Sequence, residues 1–243
     1  MNRMLFDIIL LSIIEGITEF LPISSTGHLI VVSEYLNMEK TFYQVFDIAI
    51  QFGAIMSVVV LYFNDFCKIA HPREWRKPTV VSICIATLPV LAIGYLLKDV
   101  IKSVLFSSSV VFIGLAVGGI LMIVTECVLG KSNIDAKQSS KKQVFFPKVT
   151  KRQAFMIGIW QCLALMPGMS RSAMTIIGGR WSGLTHSVSA AFSFVVAVPV
   201  MVVVVGYDLI QIRHEFGLTE YLLTGLGMAI AFVVAYGTMR WFL

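Results

Sequence analysis

The sequence predicts an all-α, polytopic integral membrane protein built from inverted repeats, each holding a re-entrant helical hairpin. Three observations carry that prediction. The composition is 57% hydrophobic and 14% charged over 243 residues, with a mean hydropathy of +0.84, too apolar for a soluble domain of this size. Five apolar runs, at about 42–63, 79–97, 104–129, 188–210 and 219–243, approach or exceed the roughly 20 residues that cross a bilayer as a helix. Two further apolar regions, 4–38 and 154–184, are broken at Pro22 and at Pro167-Gly168. Each half is too short to span, so both read as hairpins that enter and leave on one side.

Taken in order, the first segment mimics a signal peptide, with Arg3 ahead of an apolar run. Asp7 and Glu15 interrupt that run and no small-x-small cleavage site follows, so the segment is expected to be retained. One membrane domain covers 1–243, with repeat 1 at about 4–63 (hairpin 4–38) and repeat 2 at about 154–210 (hairpin 154–184). Leu21-Pro22-Ile23-Ser24-Ser25-Thr26 lies over Met166-Pro167-Gly168-Met169-Ser170-Arg171, and Phe46…Gly53 over Phe192…Pro199. If 42–63 crosses from side B to side A, side A holds 13 of the 19 Lys and Arg, among them Lys68, Arg73, Arg76, Lys77, Lys131 and Arg180. Side B holds five: Arg3, Lys40, Lys98, Lys102 and Arg213. Side A is therefore cytoplasmic, and the Lys/Ser-rich stretch 130–150 is a cytoplasmic loop. Orientation in the membrane, with no nucleic acid, accounts for the net charge of +5. The first hairpin then enters from side B and the second from side A. Folds of this kind place their site where two broken helices meet near the midplane. Cys67, Cys84, Cys127 and Cys162 have no paired spacing and read as packing residues.

The chemistry sits in the two breaks. Glu15 and Glu19 are four residues apart, and Ser25 and His28 three apart, so on helices each pair shares a face. Pro22 removes a backbone donor between them. A helix restarting at Ser24, capped by Ser24, Ser25 and Thr26, aims free N–H groups into the break, a disposition that favours phosphate. Arg171, between Ser170 and Ser172, is a cation at membrane depth whose planar fork suits phosphate oxygens. The plainer alternative is an ion pair with Glu15 or Glu19 that ties the hairpins together. Ser25 and His28 supply a hydroxyl and a base, Thr26 is an equal candidate for the hydroxyl, and His28 bonded to a backbone carbonyl is the structural alternative. Glu15 and Glu19 have three candidate roles: activating the nucleophile, balancing Arg171, or holding a divalent cation, Mg2+ or Ca2+. The last is favoured. Asp47 and Gln51 extend the polar lining, Glu126 lies near a cytoplasmic helix end, and His71, His186 and His214 belong to loops or helix ends. There is no Walker loop, dinucleotide fingerprint or HExxH.

EGITEFLPISSTGH (15–28) and PGMSRSAMTI (167–176), with FDIAIQFGAI at 46–55 and RQAFMIGIWQCLALMPG at 152–168, resemble the signatures of the undecaprenyl-diphosphate phosphatase family, the bacitracin-resistance membrane phosphatases of bacteria. The resemblance implies hydrolysis of undecaprenyl diphosphate to undecaprenyl phosphate and phosphate, which recycles the lipid carrier for peptidoglycan. It also implies a divalent cation and a site open to the outer face of the cytoplasmic membrane. By position it makes Ser25 the nucleophile, His28 its acid/base neighbour, Glu15 and Glu19 the motif carboxylates and Arg171 the phosphate-binding arginine. Ser24, Thr26, Ser170 and Ser172 become the hydroxyl-rich lining. Two departures stand out: Ala173-Met174-Thr175 replaces the usual Gly-Ala-Thr, and members commonly run on into another hydrophobic segment beyond the position of Leu243. The expected partners are the lipid diphosphate and membrane lipids, with a homodimer as the assembly to test. The architecture by itself admits a second activity, transport of undecaprenyl phosphate through the same midplane site.

Overall fold

The computed structural model describes residues 2–36, 38–69, 71–101, 108–130, 148–211 and 217–242, and every regular element among them is helical. The first broken region forms α1 (Asn2–Thr18) and α2 (Ser25–Ser33), which pack on each other. It is followed by α3 (Lys40–Leu61), a short α4 (Phe63–Ile69) and α5 (Pro78–Leu96). After α6 (Ser108–Leu129), the second broken region forms α7 (Lys151–Cys162) and α8 (Arg171–Trp181), again packed together. The chain continues into α9 (His186–Gln211) and α10 (Leu218–Phe242).

Five of these helices are long and apolar enough to cross a membrane: Phe42–Leu61, Pro78–Leu96, Ser109–Leu129, His186–Tyr207 and Leu218–Phe242. They coincide with the five apolar runs, so this is a multi-pass membrane protein. Of the expected cytoplasmic loop at 130–150, residues 131–147 lie outside the described residues, as do Lys102, Arg213 and His214.

α9 is the central helix. Of its apolar span, 61% is buried inside the protein, against 22% for those of α6 and α10. The outer helices turn apolar side chains such as Phe112, Ile120 and Ile123 outward, as a lipid solvent permits. Two cores flank the middle. Phe20 from the first break packs with Ala54 and Val58 of α3, Phe194 of α9 and Ala235 of α10. On the other side, Ile83 and Ala86 of α5 pack with Ile157 of α7 and Phe192 and Val196 of α9. The connections cross over: α10 packs on α1 and α3, whereas α5 packs on α7 and α9.

Arg180, counted with side A, is only 5% exposed and donates from Nη2 to the Gly130 carbonyl at 2.7 Å, capping the end of α6. The reading of the cysteines as packing residues holds for Cys162, which packs on the core between α5, α7 and α9, and fails for Cys67, Cys84 and Cys127, which are exposed. Cys84 and Cys127 lie on membrane-spanning helices, where a lipid-facing surface is as apolar as a core and hydropathy does not separate the two.

Candidate active site

Both breaks are built alike. Each α-helix restarts one residue after a serine in a left-sided conformation: Ser24 has φ 65° and ψ 95°, Ser170 φ 61° and ψ 114°. These are the two non-glycine residues with positive φ among the described residues. Such conformations cost about 1–3 kcal/mol and persist where the surroundings hold them. Each serine side chain caps its helix, Ser24 Oγ accepting from Gly27 N–H at 3.3 Å and Ser170 Oγ from Ala173 N–H at 3.2 Å. The N–H groups of the first turn ahead of these bonds have no intrahelical acceptor.

The caps correct the overlay of the two breaks by one residue. Ser24 corresponds to Ser170, Ser25 to Arg171 and Thr26 to Ser172. The second break is longer by one residue between its proline and its cap, and Gly168 there adopts φ 94°. A Cβ on Gly168 would also press on the Val111 carbonyl of α6, so conformation and space both require glycine.

Glu19 joins the hairpins. It follows the end of α1, its N–H still bonded to the Glu15 carbonyl at 3.0 Å. Its Oε1 accepts from Arg171 Nη2 at 3.0 Å, and its Oε2 accepts from Ser25 Oγ at 2.5 Å. The ion pair with Arg171, one of the three roles the sequence left open for Glu19, is therefore present, with side chains 13% and 8% exposed. Arg171 also donates from Nη1 to the Ser193 carbonyl of α9 at 3.3 Å, while its buried Nε has no hydrogen-bond partner. Three of the five guanidinium N–H groups thus remain for a ligand.

The other site residues fall into place around this link. The partner of the Ser25 hydroxyl is Glu19, not His28. The His28 ring turns Nδ1 to the Ser24 carbonyl at 2.8 Å, which holds a proton on Nδ1 and leaves Nε2 as the basic nitrogen. Thr26 sits half-buried in the first turn of α2. Ser172 acts as a clasp: it is 1% exposed, donates to the Leu21 carbonyl at 2.8 Å, and lies 3.0 Å from Ser170 Oγ. One hairpin's side chain thereby closes on the other's backbone.

Glu15 is fully buried, both oxygens lack a hydrogen-bond partner, and Glu19, Asp47 and Arg171 lie within electrostatic reach. Asp47 accepts from Gln51 Nε2 at 3.0 Å on α3. A buried carboxylate without a donor fits a cation, and Glu15 meets that description. Glu19 meets it less well, since both its oxygens are engaged. No group of three or more His, Cys, Asp and Glu forms a ready-made cage among the described residues. Glu15 and Glu19 would therefore hold a divalent ion only with substrate oxygens completing its shell.

Sequence reasoning missed the Leu21 and Ser193 carbonyls, since a backbone acceptor has no residue signature. The Ser193 side chain had a faint one, Ser189 and Ser193 recurring at i, i+4 in an apolar span. The arrangement as a whole provides a hydroxyl on a carboxylate, a cation on the same carboxylate and two helix starts: the parts needed to hold and attack a phosphate.

The chain matches the family model described as Bacitracin resistance protein BacA over residues 8–243. The undecaprenyl-diphosphatase of Clostridium tetani (strain Massachusetts / E88) is 41% identical over 231 residues, which cover 93% of this chain and 82% of that protein. Those of Lawsonia intracellularis (strain PHE/MN1-00) and Aquifex aeolicus (strain VF5) are 38% and 40% identical, each over 97% of this chain and 87% of the relative.

Proposed function

The chain belongs to the bacitracin resistance protein BacA family, and from that premise we infer that it hydrolyses undecaprenyl diphosphate to undecaprenyl phosphate and inorganic phosphate. The observation that carries the mechanism is Glu19 holding the Ser25 hydroxyl and the Arg171 guanidinium at once. The terminal phosphate of the substrate is a doubly charged competitor for Arg171. Binding there, with support from the helix starts at Ser25 and Arg171, loosens the Arg171–Glu19 pair and makes Glu19 more basic towards Ser25.

Ser25 Oγ then attacks the terminal phosphorus as its proton passes to Glu19. The bond from that phosphorus to the bridging oxygen breaks, undecaprenyl phosphate departs, and the phosphoryl group stays on Ser25. Water attacks the phosphoserine as its proton passes to His28 Nε2, the bond from phosphorus to Ser25 Oγ breaks, and Glu19 returns its proton to that oxygen, so phosphate leaves and the hydroxyl is restored. Most of the acceleration in such transfers comes from positioning and charge neutralisation, the tasks of Arg171 and the helix starts. A divalent cation bound with Glu15 and Glu19 would offset further negative charge on the phosphates. Ser24, Ser170 and Ser172 serve through the backbone they cap and clasp.

The prenyl tail stays among lipids beside the helices, and the site opens to the extracytoplasmic side, a reading supported by the 13-to-5 division of Lys and Arg. Phosphate release by purified protein in detergent, where no second compartment exists, tests hydrolysis against transport. Ser25→Ala should abolish release while the protein remains inserted and folded. Full activity in that variant removes Ser25 as nucleophile.

A further inference from the structure

We propose, on the reading that Arg171 binds the substrate phosphate, that Thr175 and Ser193 are positioning residues for its guanidinium. Arg171 is the first residue of α8, so no preceding helical turn holds it in place. What does hold α8 there is its seam with α9. Arg171, Thr175 and Gly179 recur every fourth residue along α8, and Ser193 and Ser189 face them in reverse order along α9.

Thr175 and Ser193 are 1% and 0% exposed, and their hydroxyl oxygens are 2.6 Å apart. Thr175 Oγ1 also lies 2.9 Å from the Arg171 carbonyl and 3.0 Å from the Ser172 carbonyl. Its single proton is shared between those carbonyls and the Ser193 hydroxyl, to which Thr175 donates across the seam. Ser193 is then tied twice to the same face of α8, by its hydroxyl to Thr175 and by its carbonyl to Arg171 Nη1 at 3.3 Å. One turn further, a Cβ on Gly179 would lie 2.5 Å from Ser189 Oγ. The backbones are therefore as close as small residues allow, and that closeness keeps the Ser193 carbonyl within reach of the guanidinium. Both hydroxyls are sealed from any ligand, so their effect on phosphate passes through the aim of Arg171.

The test compares S193A, T175V and T175S, each alone and combined with R171K, with wild-type protein in detergent. Binding of methylenediphosphonate is followed by phosphorus NMR beside kcat/KM for the lipid diphosphate. S193A and T175V should weaken analogue binding and raise KM by about three- to tenfold, the range one buried hydroxyl bond commands, while T175S restores both. In the R171K background neither change should cost anything more in kcat/KM. Unaltered binding in both S193A and T175V, or losses that simply add to that of R171K, would overturn the proposal. A wild-type protein that binds the analogue but releases no phosphate would instead overturn the hydrolase reading.

Discussion

Glu19→Gln is the sharpest perturbation this site offers, because an amide keeps the shape of the carboxylate and removes its chemistry. In the native protein both oxygens accept, from Arg171 Nη2 at 3.0 Å and from Ser25 Oγ at 2.5 Å. A glutamine has one acceptor and one donor. Its oxygen can stay on the arginine, while its NH2 turns to Ser25 and donates to the oxygen that formerly gave its proton away. The geometry survives with the bond to Ser25 reversed, so the hydroxyl loses its base. Removing a positioned general base costs about 10²–10⁴ in rate, and kcat should fall by that much. Stability should fall by about 1–3 kcal/mol, because one charge-assisted bond becomes a neutral one and the guanidinium still keeps an acceptor. Initial rates of phosphate release in detergent, read beside thermal unfolding of the same preparation, separate the two effects. A Glu19→Gln protein retaining more than about a tenth of wild-type kcat would show that Ser25 is activated by some other group.

Three further outcomes are expected. Arg171→Lys should lower kcat/KM by about 10²–10³, since an ammonium cannot keep the Ser193 carbonyl and Glu19 while presenting a planar fork; near-normal kinetics would argue for a purely structural ion pair. Gly114→Ala should cost about 1–3 kcal/mol, read as a lowered unfolding midpoint, and should lower activity as well, because its Cβ would strike the Pro167 carbonyl and displace the second break. Chelation should abolish phosphate release and added Mg2+ or Ca2+ should restore it, with Glu15→Gln blunting the recovery; undiminished turnover in excess chelator would leave Glu15 without the ion assigned to it.

The spans, both broken regions and the residues in them were legible in the sequence because each rests on local physics. About twenty predominantly apolar residues in a row have few fates other than a membrane helix. A proline followed closely by a serine in such surroundings marks an interrupted helix and a cap. Glu15, Glu19 and Arg171 stood out because charge in an apolar run needs a reason. The same logic failed where the decisive quantity is not local. Ser25 and His28 lie on one turn of helix, yet the bond that matters runs from Ser25 to Glu19 across the break. Ser172, grouped with ligand-binding hydroxyls by its neighbours, spends its proton on Leu21. Hydropathy likewise could not tell the outward face of α6 from the inward faces of α9.

By itself, then, the sequence determined the class of protein, the two interruptions and the chemical groups placed in them, since propensity, hydrophobic length and the cost of burying charge act within a few residues. Only the tertiary structure decided that Arg171 and Ser25 meet on one carboxylate, that the breaks correspond with a one-residue offset, and that α9 supplies a carbonyl to the arginine. Arg171 and Glu19 are 152 residues apart in the chain. A contact that distant follows from how helices pack and how closely small side chains let them approach, and no run of neighbouring residues encodes it.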